Sequence, residues 1–271
     1  MEHLLKAIIL GLVQGLSEFL PISSSGHLVI FAEILNFKEP GIAFEVFVHF
    51  GTFLSVLLAF RKEIVKMLYA PFAVWIHKVK DPELAEYLRW DLYIIVASIP
   101  AAIIGIVFKQ EIELFFDNIL LVYFMLLVTG LMMIGTIFLP NKQKEFKYGN
   151  TFLIGIAQAF AILPGISRSG STIFTGMAQG MDRSKVARFS FLMSLPVIFG
   201  AVLLKTKDLL EAPPSSAELG GLIAGTIVAF ISGYFAIVWL LDVVKKGKLQ
   251  WFGYYCIAVG LIGFLWTFVG M

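Results

Sequence analysis

The chain is poor in the groups that soluble chemistry usually draws on. Its 271 residues hold one cysteine, Cys256, and four histidines. One cysteine excludes an intrachain disulfide, and no Cys/His spacing fits a metal cluster. Charged residues are only 15% of the chain, the formal net charge is +2, and no basic stripe exists, so no nucleic-acid partner is expected. Long hydrophilic stretches are missing too. The longest, Arg61–Trp90, carries mixed charges and reads as a solvated, interfacial connection rather than a domain.

Apolar sequence is what the chain has. It is 59% hydrophobic with a mean hydropathy of +0.88, far above a soluble domain. Six runs recur: Phe44–Phe60, Leu92–Phe108, Ile119–Leu139, Val186–Leu204, Leu219–Leu241 and Trp251–Val269. Each matches the ~20 helical residues that span a hydrocarbon core. The expected fold is all-α: a polytopic integral membrane protein, one transmembrane domain over 1–271, with about six spanning helices. The apolar N-terminus shows no small-residue cleavage site and reads as the first structural segment. The 26 phenylalanines read as lipid-facing or core bulk, and glycines such as Gly220, Gly221 and Gly225 as helix-packing positions.

Inside this apolar background a polar loop occurs twice. The first copy runs Gly11-x-x-Gln14 and, after eight residues, Ser23-Ser24-Ser25-Gly26-His27. The second runs Gly155-x-x-Gln158 and, after eight residues, Ser167-Arg168-Ser169-Gly170-Ser171, every matched position offset by 144. A charge in mid-membrane costs roughly 2.5–3.5 kcal/mol on insertion scales, so Glu18, His27 and Arg168 default to functional candidates. The apolar stretches flanking the second loop, Thr151–Leu163 and Thr172–Met181, have 13 and 10 residues. At 1.5 Å per residue neither spans upright, and the pair reads as re-entrant. The first copy is longer, and symmetry argues for re-entry there as well. The repeat copies are expected at about 4–60 and 151–205, related by inversion because three spans lie between the two loops.

Charge counting supplies an orientation. Of the 21 basic residues, 15 fall in connections on one side: Arg61, Lys62, Lys66, Lys78, Lys80, Arg89, Lys142, Lys144, Lys147, Arg183, Lys185, Arg188, Lys245, Lys246 and Lys248. Lys6, Lys38, Lys109, Lys205 and Lys207 fall on the other. The positive-inside rule makes the first set cytoplasmic, which puts both termini and the mouth of the first loop outside.

The loops suggest chemistry. Gln14 and Glu18 are four apart and share a helix face; Pro21 then ends the helix. Hydroxyl-rich turns precede two opposed helix starts, whose free N–H groups favour anions. With Arg168 they describe a phosphate-sized pocket, and Glu18 and His27 add proton-transfer or nucleophilic capacity. Glu45 reads as an outer carboxylate near the site, His49 as a helix-contact residue, Glu33 as interfacial, and His3 and His77 as solvent-side.

Gln14-Gly-Leu-Ser-Glu-Phe-Leu-Pro-Ile-Ser-Ser-Ser-Gly-His27 and Pro164-Gly-Ile-Ser-Arg-Ser-Gly-Ser-Thr172 resemble the two signatures of bacterial undecaprenyl-pyrophosphate phosphatases of the bacitracin-resistance type. The resemblance covers the whole chain. It implies removal of the terminal phosphate of a polyprenyl pyrophosphate carrier lipid, for reuse in cell-wall synthesis at the bacterial inner membrane. It assigns catalytic roles to Glu18, Ser24, His27 and Arg168, and substrate binding to Gln14, Ser23, Ser25, Gly26, Ser167, Ser169, Gly170 and Thr172. It implies a divalent cation, Mg²⁺ or Ca²⁺, for which the chain offers Glu18 and, more weakly, Glu45. Gln14 stands where the family carries Glu or Gln, and reads as a binder or metal-orienting group rather than a base. A homodimer is compatible with the family. Ser24 is the favoured nucleophile, with His27 and an activated water as alternatives.

Two other classes compete. An alternating-access transporter or flippase for a polyprenyl phosphate or small anion would share inverted repeats and broken helices, but needs no attacking group. The acid-phosphatase-like lipid phosphatases share a Ser-Gly-His, but need a histidine after the second-motif arginine. None of the four histidines follows Arg168.

Overall fold

A computed structural model describes residues 2–37, 42–211, 213–214 and 216–269. Lys38, one of the five basic residues assigned to the outer side, lies outside them, as do the side chains of Lys205 and Lys207. Among the described residues there is no strand, only helices joined by turns and loops and one isolated bridge between Lys144 and Met181. In order the helices are α1 (Glu2–Phe19), α2 (Ser24–Ile34), α3 (Ile42–Ala59), α4 (Arg61–Pro71), α5 (Pro82–Val107), α6 (Lys109–Phe116), α7 (Ile119–Gly135), α8 (Tyr148–Phe160), α9 (Arg168–Ala178), α10 (Arg183–Glu211), α11 (Ser216–Lys245) and α12 (Gln250–Val269).

Each of the six apolar runs became a helix: α3, α5, α7, α10, α11 and α12. Among the described residues four helices are long and apolar enough to cross a bilayer. A fifth span forms if α3 and the segment Arg61–Ile76, bent by 80° at Phe60, count as one. The bend falls where apolar sequence gives way to Arg61-Lys62-Glu63. The Arg61–Trp90 connection is therefore not extended. It folds as α4, one π-helical turn at Phe72–Ile76, and the start of α5. Asp81 caps α5 by accepting from the Glu83 N–H, with Pro82 at the first helical position, where its missing donor costs nothing.

The two loops are the tips of two hairpins. The start of α1 meets the end of α2: His3 and Phe37 have ring centroids 5.2 Å apart. α1–α2 thus enters and returns at one end of the molecule. α8–α9 does the same, since Gln179 Nε2 donates to Asn150 O at 3.2 Å. This second pair opens at the end where the basic connections gather. Lys144 N donates to Gly180 O at 3.1 Å, Arg188 lies 3.9 Å from Glu63, and Lys66 pairs with Glu83. The tips meet between the ends, where Ser169 Oγ donates to Leu20 O at 3.2 Å and Arg168 reaches Glu18.

Each hairpin leans on a long helix from the other half: α1 on α11, α8 on α5. The contact is backbone to backbone in both. A methyl at Gly11 would overlap Gly225, and one at Gly155 would overlap Ala97, with the carbonyl oxygen the nearest atom each time. Without a hydrophobic drive between helices in lipid, such close approach is what holds them. The core is a continuous apolar cluster around Phe19, Phe189, Phe191, Met193 and Ile237, all fully buried.

Candidate active site

α1 stops at Phe19 because Pro21 cannot donate the next helical bond. The chain then turns sharply. Ser23 sits at φ 72°, ψ 100°, a left-handed conformation that non-glycine residues rarely adopt. From there it caps α2, its Oγ accepting from Gly26 N at 3.3 Å and lying 3.3 Å from Ser25 Oγ. The second loop repeats the bonds without the strain. Ser167 caps α9 at φ −76°, its Oγ accepting from Gly170 N at 3.1 Å and lying 3.2 Å from Ser169 Oγ. Backbone strain confined to one of two related loops, beside buried ionisable groups, makes this turn a candidate functional position.

Glu18 is the centre. Its Oε1 accepts from Arg168 Nη2 at 2.7 Å; its Oε2 accepts from Ser24 Oγ at 2.6 Å and from Gln14 Nε2 at 3.0 Å. These four residues come from both motifs, 150 positions apart in the case of Glu18 and Arg168. The carboxylate is 8% exposed and the guanidinium 15%, so neither charge is solvated and each satisfies the other. Arg168 Nη1 also donates to Ser190 O at 3.4 Å, which leaves donors of its fork for a ligand. Ser24 and Ser25 keep accessible surface, whereas Ser23, Ser167, Ser169 and Thr172 are buried. The buried hydroxyls build the loops. Thr172 Oγ1, for example, lies 2.6 Å from Ser190 Oγ and donates to Arg168 O at 2.9 Å.

His27 is not part of this cluster's hydrogen bonding. Its Nδ1 lies 2.8 Å from Ser23 O and its Nε2 2.8 Å from Tyr255 Oη on α12, with the two rings stacked 5.5 Å apart. The imidazole clamps the strained turn to α12. The same helix touches the loop again through Cys256, whose Sγ donates to Pro21 O at 3.9 Å. In the second loop Thr129 on α7 does this job: its Oγ1 donates to Gly165 O at 2.8 Å and accepts from Ser167 N at 3.0 Å. Gly165, at φ +94°, supplies the turn that lets its carbonyl face Thr129.

A cavity of about 460 Å³ opens beside the first loop. Ser25, Glu45 and His49 line it together with apolar side chains such as Leu10, Leu28, Phe44 and Val202. Glu33 and Asn36 add polar groups toward the far end of α2, and the mixture of polar groups and apolar walls suits an amphiphile. Glu45 lines this cavity, and His49, expected as a helix contact, lines it too, within electrostatic reach of Glu18. Among the described residues no cluster of three or more His, Cys, Asp or Glu side chains converges. Gln14 Oε1, however, is buried without a hydrogen-bond partner beside Glu18, a hard oxygen donor suited to Mg²⁺ or Ca²⁺.

Sequence reasoning missed Tyr255, Thr129, Ser190 and the cavity position of His49. Tyr255, Thr129 and Ser190 are each a polar residue inside an apolar run, but nothing in the local pattern ties any of them to the loops.

Two opposed hairpins, meeting at a buried Glu–Arg pair with a serine on the carboxylate, define a helical membrane protein with an anion-processing centre between its halves. The chain belongs to the family described as bacitracin resistance protein BacA, which matches residues 7–262. It is 45% identical to the undecaprenyl-diphosphatase of Halothermothrix orenii, with 96% of each chain covered. It is 43% identical to that of Christiangramia forsetii over 97% of each chain, and 40% identical to that of Bacteroides fragilis over 95% of this chain and 96% of the relative.

Proposed function

We propose that this protein hydrolyses undecaprenyl pyrophosphate to undecaprenyl phosphate and inorganic phosphate, recycling the lipid that carries cell-wall precursors. The observation that carries this reading is the 2.6 Å bond from Ser24 Oγ to the Glu18 carboxylate, with Arg168 on the same carboxylate. A hydroxyl on a buried base, next to a guanidinium, is the arrangement an activated nucleophile needs. A carrier has no use for it.

Glu18 takes the Ser24 proton as Oγ bonds to the terminal phosphorus. The bond from phosphorus to the bridging oxygen breaks, and its electron pair leaves with the prenyl monophosphate. A water oxygen then bonds to that phosphorus as the bond from phosphorus to Ser24 Oγ breaks; Glu18 returns its proton to Oγ, and the water's protons leave with the inorganic phosphate. Arg168 stabilises the charge that spreads over the transferring group, which is where most catalysis of phosphoryl transfer lies. His27 acts by holding the Ser23 turn, since both its nitrogens are engaged. A divalent cation supplies charge neutralisation on the pyrophosphate when bound; Gln14 Oε1 and Glu18 are the groups that would hold it, with Glu45 near the cavity. Ser25 faces the headgroup from the cavity, while Gly26, Ser167, Ser169, Gly170 and Thr172 keep the two helix starts in place.

The cavity is bordered by Asn36, Phe37 and Phe116, away from the basic connections. With those connections cytoplasmic, the lipid headgroup enters from outside the bacterial inner membrane and both termini are extracytoplasmic. The paired packing of Gly11 on Gly225 and Gly155 on Ala97 supports an inverted repeat that takes in α5 and α11 as well as the hairpins.

The test is product analysis. Purified protein with a prenyl pyrophosphate and Mg²⁺ or Ca²⁺ is expected to yield prenyl monophosphate and inorganic phosphate in equal amounts, and chelation to stop it. Lipid left intact, but moved between leaflets of liposomes, would instead favour the carrier.

A further inference from the structure

His27 and His49 begin alike. In each ring Nδ1 lies 2.8 Å from the backbone carbonyl four residues earlier, Ser23 O for His27 and Glu45 O for His49. A carbonyl only accepts, so Nδ1 carries a proton in both, and Nε2 is the nitrogen left for other work. There they part. His27 Nε2 is taken by Tyr255 Oη, whereas His49 Nε2 has no hydrogen-bond partner among the described residues. A histidine serving only to join helices would spend that nitrogen on a neighbouring helix, as His27 does.

The place of His49 limits what it can serve. Its side chain lines the 460 Å³ cavity beside Ser25, and it lies within electrostatic reach of Glu18. Ser25 and His49 line the cavity together with apolar side chains, and Ser24, next to Ser25, joins Glu18 and Arg168 beyond that lining. Along a prenyl pyrophosphate the order is chain, lipid-linked phosphate, terminal phosphate. If the terminal phosphate sits at Ser24 and the chain lies against Leu28, Phe44 and Val202, the lipid-linked phosphate falls opposite His49.

We propose that His49 is a further substrate-binding residue: with both ring nitrogens protonated when the phosphate is bound, its Nε2–H donates to an oxygen of the lipid-linked phosphate at the cavity side of the active site. The inference rests on the phosphatase reading for the order of the phosphates. It makes a distinction that reading alone does not: the contact persists in the product, because the monophosphate keeps that phosphate.

The experiment compares the unaltered protein with His49→Ala and His49→Gln in detergent. Gln places an amide nitrogen near the position of Nε2. Farnesyl monophosphate, which has no anhydride to hydrolyse, is the binding probe, farnesol is the control without phosphate, and phosphate release from farnesyl pyrophosphate is followed in parallel. A hydrogen bond to a charged group predicts that His49→Ala weakens monophosphate binding by about ten- to a hundredfold. Farnesol binding should be unchanged, and His49→Gln should recover to within about threefold of the unaltered protein. In turnover, KM should rise in His49→Ala with kcat little changed, the pattern of a contact made equally in ground and transition states. Wild-type affinity of a folded His49→Ala for the monophosphate overturns the proposal; so does an equal loss of farnesol binding, which would make His49 a shape-determining wall. If the unaltered protein releases no phosphate, the phosphatase reading fails on its own, and the monophosphate comparison still decides the role of His49.

Discussion

A carboxylate buried near the middle of a membrane protein must be matched by donors, and Glu18 is matched by three of different kinds: an amide, a hydroxyl and a guanidinium. The amide and guanidinium hold it; in the proposed mechanism the hydroxyl is the group it acts on. Glu18→Gln keeps the size and an acceptor for Arg168 but removes the base. Its kcat should fall by about 10²–10⁴-fold while the protein stays folded, as checked by phosphate release and far-ultraviolet circular dichroism. Tyr255→Phe removes one hydrogen bond from His27 and little else. It should cost about 1 kcal/mol in thermal stability and lower kcat severalfold without raising KM, because the loop and not the ligand is loosened. Gln14, Glu18, Ser24 and Arg168 were legible because polar groups at fixed spacing stand out in apolar sequence. Tyr255 and His49 were not. A bond spanning 228 positions leaves no trace in local pattern, and a helical histidine looks the same whether or not its Nε2 is engaged.

At the scale of elements, each hairpin tip is braced by the helix beside it, α12 for the first and α7 for the second. Thr129→Val keeps the shape of the side chain but strips the Gly165 carbonyl and the Ser167 amide of their shared hydroxyl. Buried groups left unpaired cost about 1–3 kcal/mol each, so the midpoint of heat inactivation should drop by several degrees, more than for Tyr255→Phe. Gly11→Ala and Gly155→Ala offer a paired test of the repeat. Each methyl would press on a facing backbone, so both should destabilise by about 1–3 kcal/mol and by similar amounts. A large effect at one and none at the other would contradict equivalent packing. The second hairpin could be read from stretches too short to span, and the helices from their apolar runs. The partners of the hairpins could not, because glycine spacing marks a close approach without naming the helix that approaches.

For the molecule as a whole, contacts between distant connections sort the chain into two ends. Glu63–Arg188, Lys66–Glu83 and Lys144–Gly180 gather at one; His3–Phe37 and the cavity border at Asn36 and Phe116 gather at the other. Charge counting anticipated this sorting, since each connection keeps its bias whatever the helices between do. It could not anticipate the 80° bend after α3, which places α4 against α5. Single cysteines in place of Lys78 and Asn141, both exposed, should react with an impermeant maleimide only from the cytoplasmic side. The native Cys256 is buried and should stay silent.

The central claim is that one centre, built from both hairpins, breaks the pyrophosphate. Initial rates of phosphate release for the unaltered protein, Ser24→Ala, Glu18→Gln and Arg168→Lys, compared at equal folded concentration, test it most directly. Loss of at least about a hundredfold in each variant, with the double variant Ser24→Ala/Glu18→Gln no worse than the weaker single, is the result expected of groups acting as a unit. A folded Ser24→Ala that releases phosphate at the unaltered rate would contradict the account.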